Sequence, residues 1–282
     1  MPTLKNTVIL YHADCLDGFG AAWAAWKKFG DRAEYIGVDP ETLPKKILIK
    51  KEIYAVDISY PIAVQRKLRE KNKKLVILDH HASNESATRF FPENVFDNSH
   101  SGSVLAWKYF HRSKMIPKLL KYIEDIDLWK WRLPKTREII SSLSLLEYDF
   151  KKWSGFAKIS ETKAGFKKIV KDGSVISAYE QNIVQRLAGR ATPVKFKGIK
   201  TLAVNSPVLD SEIGNALVKK LPPIGTVWHE TSGEIHVSLR SNGSVDVSKI
   251  AKKYGGGGHK KASGFGFKAK NGFPWKVIKL LL

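Results

Sequence analysis

The chain has 282 residues, of which 43% are hydrophobic and 27% charged, so it can form one large domain or two ordinary ones. No apolar run approaches the ~20 residues that a membrane-spanning helix needs. A single cysteine, Cys15, excludes a disulfide framework and a cysteine-rich zinc site. These features predict a cytoplasmic protein that does not act on a membrane.

The formal net charge is +21 at pH 7, and the excess is densest towards the C-terminus. Residues 193–282 carry 15 basic and 5 acidic side chains. A positive field of this size attracts anions such as nucleic acid, nucleotides or polyphosphate. The alternative interpretation is a lysine-rich, solvated surface with no ligand.

The first 130 residues alternate short apolar runs with amphipathic stretches, which predicts a parallel sheet with right-handed helical crossovers. The predicted strands are residues 8–11, 34–38, 53–56 and 75–78. The predicted helices are residues 18–29, 61–72, 103–111 and 118–127.

The sequence of residues 137–192 predicts several helices, the last of them around residues 175–188. Beyond Pro193 the pattern restarts. It predicts a strand at 200–204, a helix at 211–221 with Ser211 as N-cap, a hairpin of 226–229 and 234–240, and a short helix at 247–254. The fold class is therefore α/β, with a parallel-sheet domain over residues 1–185, a helical linker at 186–192 and a smaller α/β domain at 193–282.

Carboxylates and imidazoles follow three of the four predicted parallel strands. They are His12, Asp14 and Asp17 after the first strand, Asp57 after the third, and Asp79, His80 and His81 after the fourth. The ligand site of an open parallel sheet lies beyond the carboxyl ends of its strands. So much negative charge needs cations to neutralise it. Oxygen and imidazole ligands without thiolate suit two Mn²⁺ ions, with Mg²⁺, Co²⁺ or Fe²⁺ as alternatives.

Each of these residues has an ordinary structural alternative. A single aspartate after a strand is usually a turn residue or a helix cap. Asp125 and Asp127 add a fourth acidic group near the end of a predicted helix, where a solvated helix end is the alternative. The metal interpretation depends on the repetition of the pattern at three strand ends.

Two parts of the sequence resemble the DHH phosphoesterase family, which includes RecJ-like exonucleases and nanoRNases. The first part is the run Asp79-His80-His81 together with His12, Asp17-Gly18 and Asp57 upstream. The second part is the glycine run 255–258 followed by His259, which is similar to the family's C-terminal substrate-binding domain with its Gly-Gly-Gly-His motif. The resemblance covers the chain except for residues 137–192.

The resemblance implies a role for each residue of the set. His12 and Asp17 would bind one metal ion, with Asp14 as an alternative ligand or a hydrogen-bonding neighbour. Asp57 would bridge both ions, His80 would bind the second, and Asp125 or Asp127 would complete the site, with Asp125 favoured. His81 would contact the scissile phosphate and Asp79 would orient the histidines. Cys15 lies inside the first motif, and we expect it to be a small buried side chain.

Substrate binding is predicted for the C-terminal motif, at Arg240, Gly256, Gly257, Gly258 and His259. Glycine backbone N–H groups can approach an anion closely. A helix starting near Lys260 would direct its positive end at the same anion. The alternative is a flexible glycine linker. A P-loop is excluded because no Gly-Lys-Ser/Thr follows.

The sequence therefore predicts a metal-dependent enzyme that hydrolyses phosphodiester bonds of short single-stranded oligoribonucleotides with water activated by two metal ions. Three other enzyme activities stay open: a 3′-phosphoadenosine 5′-phosphate phosphatase, an exopolyphosphatase and a cyclic-dinucleotide phosphodiesterase. The alternative outside enzymes is a nucleic-acid-binding protein that has lost catalysis. The oligomeric state is open, with a homodimer as one alternative.

Overall fold

The computed structural model describes residues 5–39, 42–44 and 47–279. It divides into two compact units between Ser177 and Ala178. Within the described ranges, no helix combines the length and apolarity that crossing a bilayer requires.

The first unit alternates strands and helices from its start. The strands are β1 (Thr7–His12), β2 (Ala33–Val38), β3 (Glu52–Val56), β4 (Lys74–Asp79) and β5 (Val95–Phe96). The helices are α1 (Leu16–Phe29), α2 (Ile62–Lys71), α3 (Glu85–Arg89), α4 (Gly102–His111), α5 (Lys118–Asp127), α6 (Thr136–Leu143), α7 (Phe150–Ser160) and α8 (Lys163–Gly189). The unit boundary lies inside α8, which contains the predicted helix 175–188 and begins well before it.

The strands of this unit form a parallel sheet in the order β2-β1-β3-β4-β5. Leu10 of β1 pairs with Ile36 on one side and with Ala55 on the other. Both neighbours of β1 therefore come later in the chain, and their crossovers leave the sheet on opposite sides. The parallel α/β sheet predicted from the sequence is confirmed.

Both faces of this sheet are buried, which explains why its central strands are continuous apolar runs. Ile9 and Val56 face one core, which includes Trp23 of α1 and Val104 of α4. Leu10, Ala55 and Ile77 face the other core, against which α2 packs. The helices cover the two faces and leave the carboxyl edge of the sheet for polar groups.

The second unit is built around a mixed sheet. Its strands are β6 (Thr192–Phe196), β7 (Ile199–Asn205), β8 (Ile224–Thr231), β9 (Glu234–Ser241), β10 (Gly257–His259), β11 (Ala262–Lys268) and β12 (Trp275–Val277). Its helices are α9 (Asp210–Lys220) and α10 (Val247–Lys252). The order is β10-β11-β9-β8-β7-β6-β12, in which β7 and β8 are parallel and the other pairs antiparallel.

The predicted hairpin is formed by β8 and β9, which meet at Ser232 and Gly233. Both residues have positive φ angles, 52° and 78°. A two-residue turn of this kind matches the right-handed twist of the strands it joins.

One prediction about this unit is wrong, and the helix considered after Lys260 is not formed. Ser211 is not an N-cap, because α9 already begins at Asp210, after Leu209 in the left-handed conformation. The residues after Lys260 form β11 and not a helix. Burial alternates along β11: Ser263 and Phe265 are buried, and their neighbours along the strand are less so. This two-residue period is that of a strand.

Candidate metal centre

Three strands of the parallel sheet deliver polar side chains to one edge. His12 ends β1, Asp57 directly follows β3, and Asp79 ends β4. Because β1 pairs with β3 and β3 with β4, these strand ends are neighbours. The crossover directions change at β1, and ligands of open α/β sheets bind at such a switch point.

Asp57 lies at the centre of the group, and its side chain is only 1% exposed. Its Oδ2 is 3.5 Å from Nδ1 of His12 and 4.0 Å from Sγ of Cys15. Its Oδ1 is 3.1 Å from Nε2 of His80 and 4.0 Å from Nδ1 of His81. The two carboxylate oxygens therefore face different sets of ligand atoms, as a bridging carboxylate requires.

His80 directs its Nε2 atom at three carboxylates. Besides Asp57, this nitrogen lies 3.7 Å from Oδ2 of Asp17 and 3.7 Å from Oδ2 of Asp127. His80 and Asp17 are each 1% exposed, whereas Asp127 is 25% exposed. A second cluster of nitrogen and oxygen ligands thus adjoins the first through Asp57.

The first turn of α4 fixes Asp17. The carboxylate accepts hydrogen bonds from the backbone amides of Gly102 at 2.6 Å and Ser103 at 3.0 Å. These amides have no partner inside the helix, and the N-terminal helix dipole favours a negative group there. Neither amide could be assigned to Asp17 from the sequence. Ser101 before Gly102 is a sequence signal for a helix N-terminus, but nothing in the sequence pairs it with Asp17.

Asp79 is fully buried and organises the loop that carries the histidines. Its Oδ1 accepts from the backbone amide of His80 at 2.9 Å and lies 2.7 Å from Nδ1 of His81. Its Oδ2 accepts from Nδ2 of Asn84 at 2.9 Å. Asp79 is therefore placed to orient the imidazoles.

Asp14 lies outside these clusters. It is exposed and has a positive φ angle of 50°. Among the described residues, the sets of ligand atoms that lie within 4.8 Å of one another do not include it.

Asp125 is also directed elsewhere, although it is only 3% exposed. Its carboxylate accepts from the amides of Arg132 at 2.8 Å and Leu133 at 3.2 Å, and from Oγ1 of Thr136 at 2.6 Å. The geometry corrects the preference for Asp125, because the carboxylate that reaches His80 belongs to Asp127.

Burial and mutual charge strongly perturb the ionisation of these groups. Burial raises the pKa of Asp17 to about 8, and the charges of Asp127 and Asp57 act in the same direction. Burial alone would lower the pKa of His80, but Asp57, Asp127 and Asp17 raise it to about 10. Burial opposes the ionisation of Asp57, yet His12 and His80 lower its pKa well below the usual range. Without a metal, the proton on His80 neutralises part of the cluster, and a bound cation would replace it.

The donor set and its unmet bonding capacity fit divalent cations. Two groups of ligand atoms, each within 4.8 Å, are His12–Cys15–Asp57 and Asp17–His80–Asp127. Nδ1 of His12 is buried and makes no hydrogen bond with the described residues, whereas the buried Oδ1 of Asp57 has Nε2 of His80 at 3.1 Å. Buried polar atoms normally have partners, so the His12 nitrogen indicates a missing ligand.

Arg240, the predicted phosphate-binding residue of the second unit, is held firmly by its neighbours. Nη1 donates to Oγ of Ser238 and to the carbonyl oxygen of Leu239, both at 2.9 Å, and Nη2 donates to Oγ of Ser211. Asp210 lies 3.7 Å from Nη2, and the Arg240 side chain is 13% exposed. The guanidinium is thus fixed in position, with part of its donor capacity already used.

The glycine run packs against a strand. The amide of Gly256 donates to the carbonyl of Ala251 at 3.0 Å, and Gly257 to His259 form β10 against β11. A side chain on Gly256 would overlap the carbonyl of Gly264, and Gly258 has a φ angle of +127°. Strand β11 follows the run, so the helix dipole considered near Lys260 does not contribute.

Comparison with known proteins gives three results that bear on the family. Uncharacterized protein R106 of Acanthamoeba polyphaga mimivirus is 31% identical over 298 residues, covering 96% of this chain and 70% of R106. Residues 208–276 match the DHHA1 domain. Oligoribonuclease NrnB of Bacillus subtilis is 45% identical over 62 residues, which is 22% of this chain and 16% of NrnB. The chain belongs to the DHH phosphoesterase family.

A solved structure agrees with the DHH fold. The pGpG-specific phosphodiesterase PggH from Vibrio cholerae superposes with a TM-score of 0.50 at 12% identity, covering 95% of each chain. The family places the chain among hydrolases of phosphate esters. The DHHA1 match includes Arg240 and the glycine run.

Proposed function

We propose that this chain hydrolyses short oligoribonucleotides to mononucleotides by a metal-dependent phosphodiesterase reaction. The observation that carries the proposal is the position of Asp57, whose two oxygens face two separate clusters of metal-ligating atoms. Paired divalent sites of this kind serve phosphoryl transfer. The name of the relative NrnB, an oligoribonuclease, supports the substrate class.

The residues that would hold the ions are His12 and Asp57 on one side, and Asp17, His80 and Asp127 on the other, with Asp57 shared. We propose Mn²⁺ for the position of Asp17, His80 and Asp127, whose donors are only oxygen and imidazole, with Mg²⁺ or Co²⁺ as alternatives. Cations there would neutralise the phosphate oxygens and lower the pKa of the attacking water.

His81 is assigned to the scissile phosphate. Its Nδ1 is oriented by Asp79, and its side chain is 25% exposed. Burial lowers the pKa of His81, but the charge and hydrogen bond of Asp79 raise it to about 9. The imidazole therefore keeps its proton at neutral pH and can donate a charge-assisted hydrogen bond to a phosphate oxygen.

We assign residues 1–185 to catalysis and residues 193–282 to substrate binding. The basic character of residues 193–282 and the buried guanidinium of Arg240 support a phosphate-rich substrate. Arg240, the glycines 256–258 and His259 are the proposed contacts to a phosphate away from the scissile bond. Single-stranded RNA of a few nucleotides is the proposed partner.

A release assay tests this function. Protein with Mn²⁺ is offered labelled RNA of two to five nucleotides, long RNA, single-stranded DNA, cyclic dinucleotides, polyphosphate and 3′-phosphoadenosine 5′-phosphate. We expect mononucleotides from short RNA, loss of release with EDTA, and recovery on adding Mn²⁺.

Two variants complete the test. Asp57→Ala should abolish turnover because it removes a ligand from both clusters. Asp14→Asn is the matched control, since Asp14 is exposed and lies outside them. Hydrolysis that persists in EDTA, or equal loss in both variants, would overturn the assignment. If polyphosphate were the only substrate hydrolysed, the proposed substrate class would change from short oligoribonucleotides to polyphosphate.

A further inference from the structure

Cys15 lies beside the metal centre and not in an apolar core. Its Sγ is 4.0 Å from Oδ2 of Asp57. Together with Nδ1 of His12, these atoms form a set whose members are all within 4.8 Å of one another. Cys15 stands at the N-terminus of α1 in an extended conformation, so its side chain precedes the helix that positions Asp17. The expectation of a simple packing role does not explain a sulfur directed at a carboxylate.

The distances from the sulfur and from the imidazole nitrogen to Oδ2 of Asp57 are near those that a tetrahedral ion requires. With metal–sulfur, metal–nitrogen and metal–oxygen bonds of about 2.3, 2.0 and 2.1 Å, a tetrahedral ion separates sulfur from oxygen by about 3.6 Å and nitrogen from oxygen by about 3.4 Å. The observed distances to Oδ2 of Asp57 are 4.0 Å for the sulfur and 3.5 Å for the nitrogen. Both distances are within about 0.4 Å of the tetrahedral values.

Independent evidence for a ligand comes from the partners of the cysteine. Asp57 is 1% exposed, and the oxygen that faces Cys15 and His12 is Oδ2. Nδ1 of His12 lies 3.5 Å from this oxygen, is buried and makes no hydrogen bond with the described residues. A buried imidazole nitrogen in this condition indicates a missing ligand.

We propose that Cys15 supplies a thiolate to the ion held by His12 and Asp57, and that this position takes Zn²⁺, Co²⁺ or Fe²⁺ in preference to Mn²⁺ or Mg²⁺. The inference rests on the metal centre of the proposed function. A soft thiolate selects borderline cations, whereas carboxylate-rich positions suit Mn²⁺ and Mg²⁺. As the sulfur–metal bond forms, the thiol proton passes to solvent. The Asp17–His80–Asp127 cluster has no sulfur, so the two positions differ in the ion that they prefer.

The test uses Co²⁺, because a cobalt–thiolate bond gives a charge-transfer absorption in the near ultraviolet. Cys15 is the only cysteine of the chain, so any such band belongs to it. Metal-free protein is titrated with Co²⁺ while absorption and calorimetric binding are followed. The same titration is made with Cys15→Ser and Cys15→Asp, after circular dichroism has shown that both variants fold. Alkylation of Cys15 by iodoacetamide, with and without metal, gives a second readout.

We expect the band to rise to one equivalent in the wild type and to be absent in both variants, and bound metal to protect the thiol from alkylation. Cys15→Asp should lower the preference for Zn²⁺ over Mn²⁺ by roughly tenfold or more, since changes even beyond the direct ligands cost 10–100-fold in metal affinity. Co²⁺ binding without the band, or an unchanged ion preference in Cys15→Asp, would overturn the thiolate assignment and leave the metal centre intact. Failure to bind Co²⁺, Zn²⁺ or Mn²⁺ would overturn both.

Discussion

The carboxylate of Asp57 occupies the space that a side chain at Gly102 would need. A Cβ atom on Gly102 would lie 2.5 Å from Oδ1 of Asp57 and 2.6 Å from its Cβ. The amide of the same glycine donates to Asp17 at 2.6 Å. One residue without a side chain thus sets the approach of two carboxylates, one from the first turn of α1 and one from the end of β3.

Gly102→Ala should therefore displace Asp57 and weaken metal binding by roughly tenfold or more, with a matching fall in turnover. Metal content and kcat measure the effect. The control is Gly155→Ala in α7, where an added Cβ would meet nothing within 4 Å, so activity should be unchanged. Normal metal affinity in Gly102→Ala would show that the cluster adapts to the lost space.

Asp125→Ala should reduce stability and leave metal binding intact. The substitution leaves the partly buried amides of Arg132 and Leu133 without this acceptor, and the buried hydroxyl of Thr136 keeps only the carbonyl oxygen of Leu133. We expect a loss of about 3 kcal/mol in the free energy of unfolding. Urea unfolding and metal content measure the two quantities separately.

Asp127→Asn should have the opposite effect. Its carboxylate faces His80 and is partly exposed, so its loss should lower metal affinity and kcat with little change in the free energy of unfolding. If Asp125→Ala lost metal while Asp127→Asn kept it, the roles assigned to these two carboxylates would have to be exchanged.

Arg240→Lys should raise KM for a dinucleotide and spare a small reporter. Lysine keeps the charge but loses the planar fork that Ser211 and Ser238 hold in place. For the dinucleotide, we expect a loss of about 2 kcal/mol in transition-state stabilisation, measured as a fall in kcat/KM. This is the size of a charge-assisted hydrogen bond. Ser211→Ala should act in the same direction, but less strongly.

Bis-p-nitrophenyl phosphate is the comparison substrate, because it has no second phosphate to bind. Its slow hydrolysis should survive Arg240→Lys, and bound metal should be unchanged. An equal loss for both substrates would place Arg240 in the chemical step or in the fold, not in substrate binding.

His111 should make stability depend on pH below neutrality. It is buried, with Nε2 2.9 Å from the carbonyl oxygen of Ala24. Burial lowers its pKa from 6.5, and the positive charges of Lys114, Lys28 and Lys27 add to the effect. The unfolded chain therefore binds this proton more readily. The stabilising contribution is complete above pH 6.5 and is lost as the pH falls through the folded-state pKa.

The variant His111→Gln tests this assignment. The unfolding free energy of the wild type should fall between pH 7.5 and 5.5, and this fall should be smaller in His111→Gln. An identical fall in both proteins would contradict the assignment.

The strand-end residues of the site could be predicted from the sequence because their meeting depends only on parallel strands. Asp57 and His80 each follow an apolar run, and adjacent parallel strands bring such positions together whatever the intervening loops do. The same argument does not predict that Gly102 and Asn84 contact the site. Their contacts depend on how a helix start and a short loop pack against the sheet edge.

The choice between Asp125 and Asp127 depends on an irregular loop. Trp129, Trp131 and Lys135 all have positive φ angles, which bulky residues rarely adopt. Because the chain turns in this way, the backbone amides of Arg132 and Leu133 donate to Asp125. No propensity rule predicts this loop conformation. The pattern after Lys260 does not decide between helix and strand, because the alternation of small residues with Phe265 and Phe267 is short.

Asp57 also has a φ angle of 60°, a left-handed conformation that costs a non-glycine residue of order 1–3 kcal/mol. Glycine there would relieve the backbone, but it would also leave the buried imidazole of His80 without its nearest carboxylate, 3.1 Å away. Removing one partner of a buried ion pair costs about 3–5 kcal/mol, which exceeds the relief of the backbone. A variant library sorted on heat resistance alone should therefore keep aspartate at position 57, as a library sorted on turnover should.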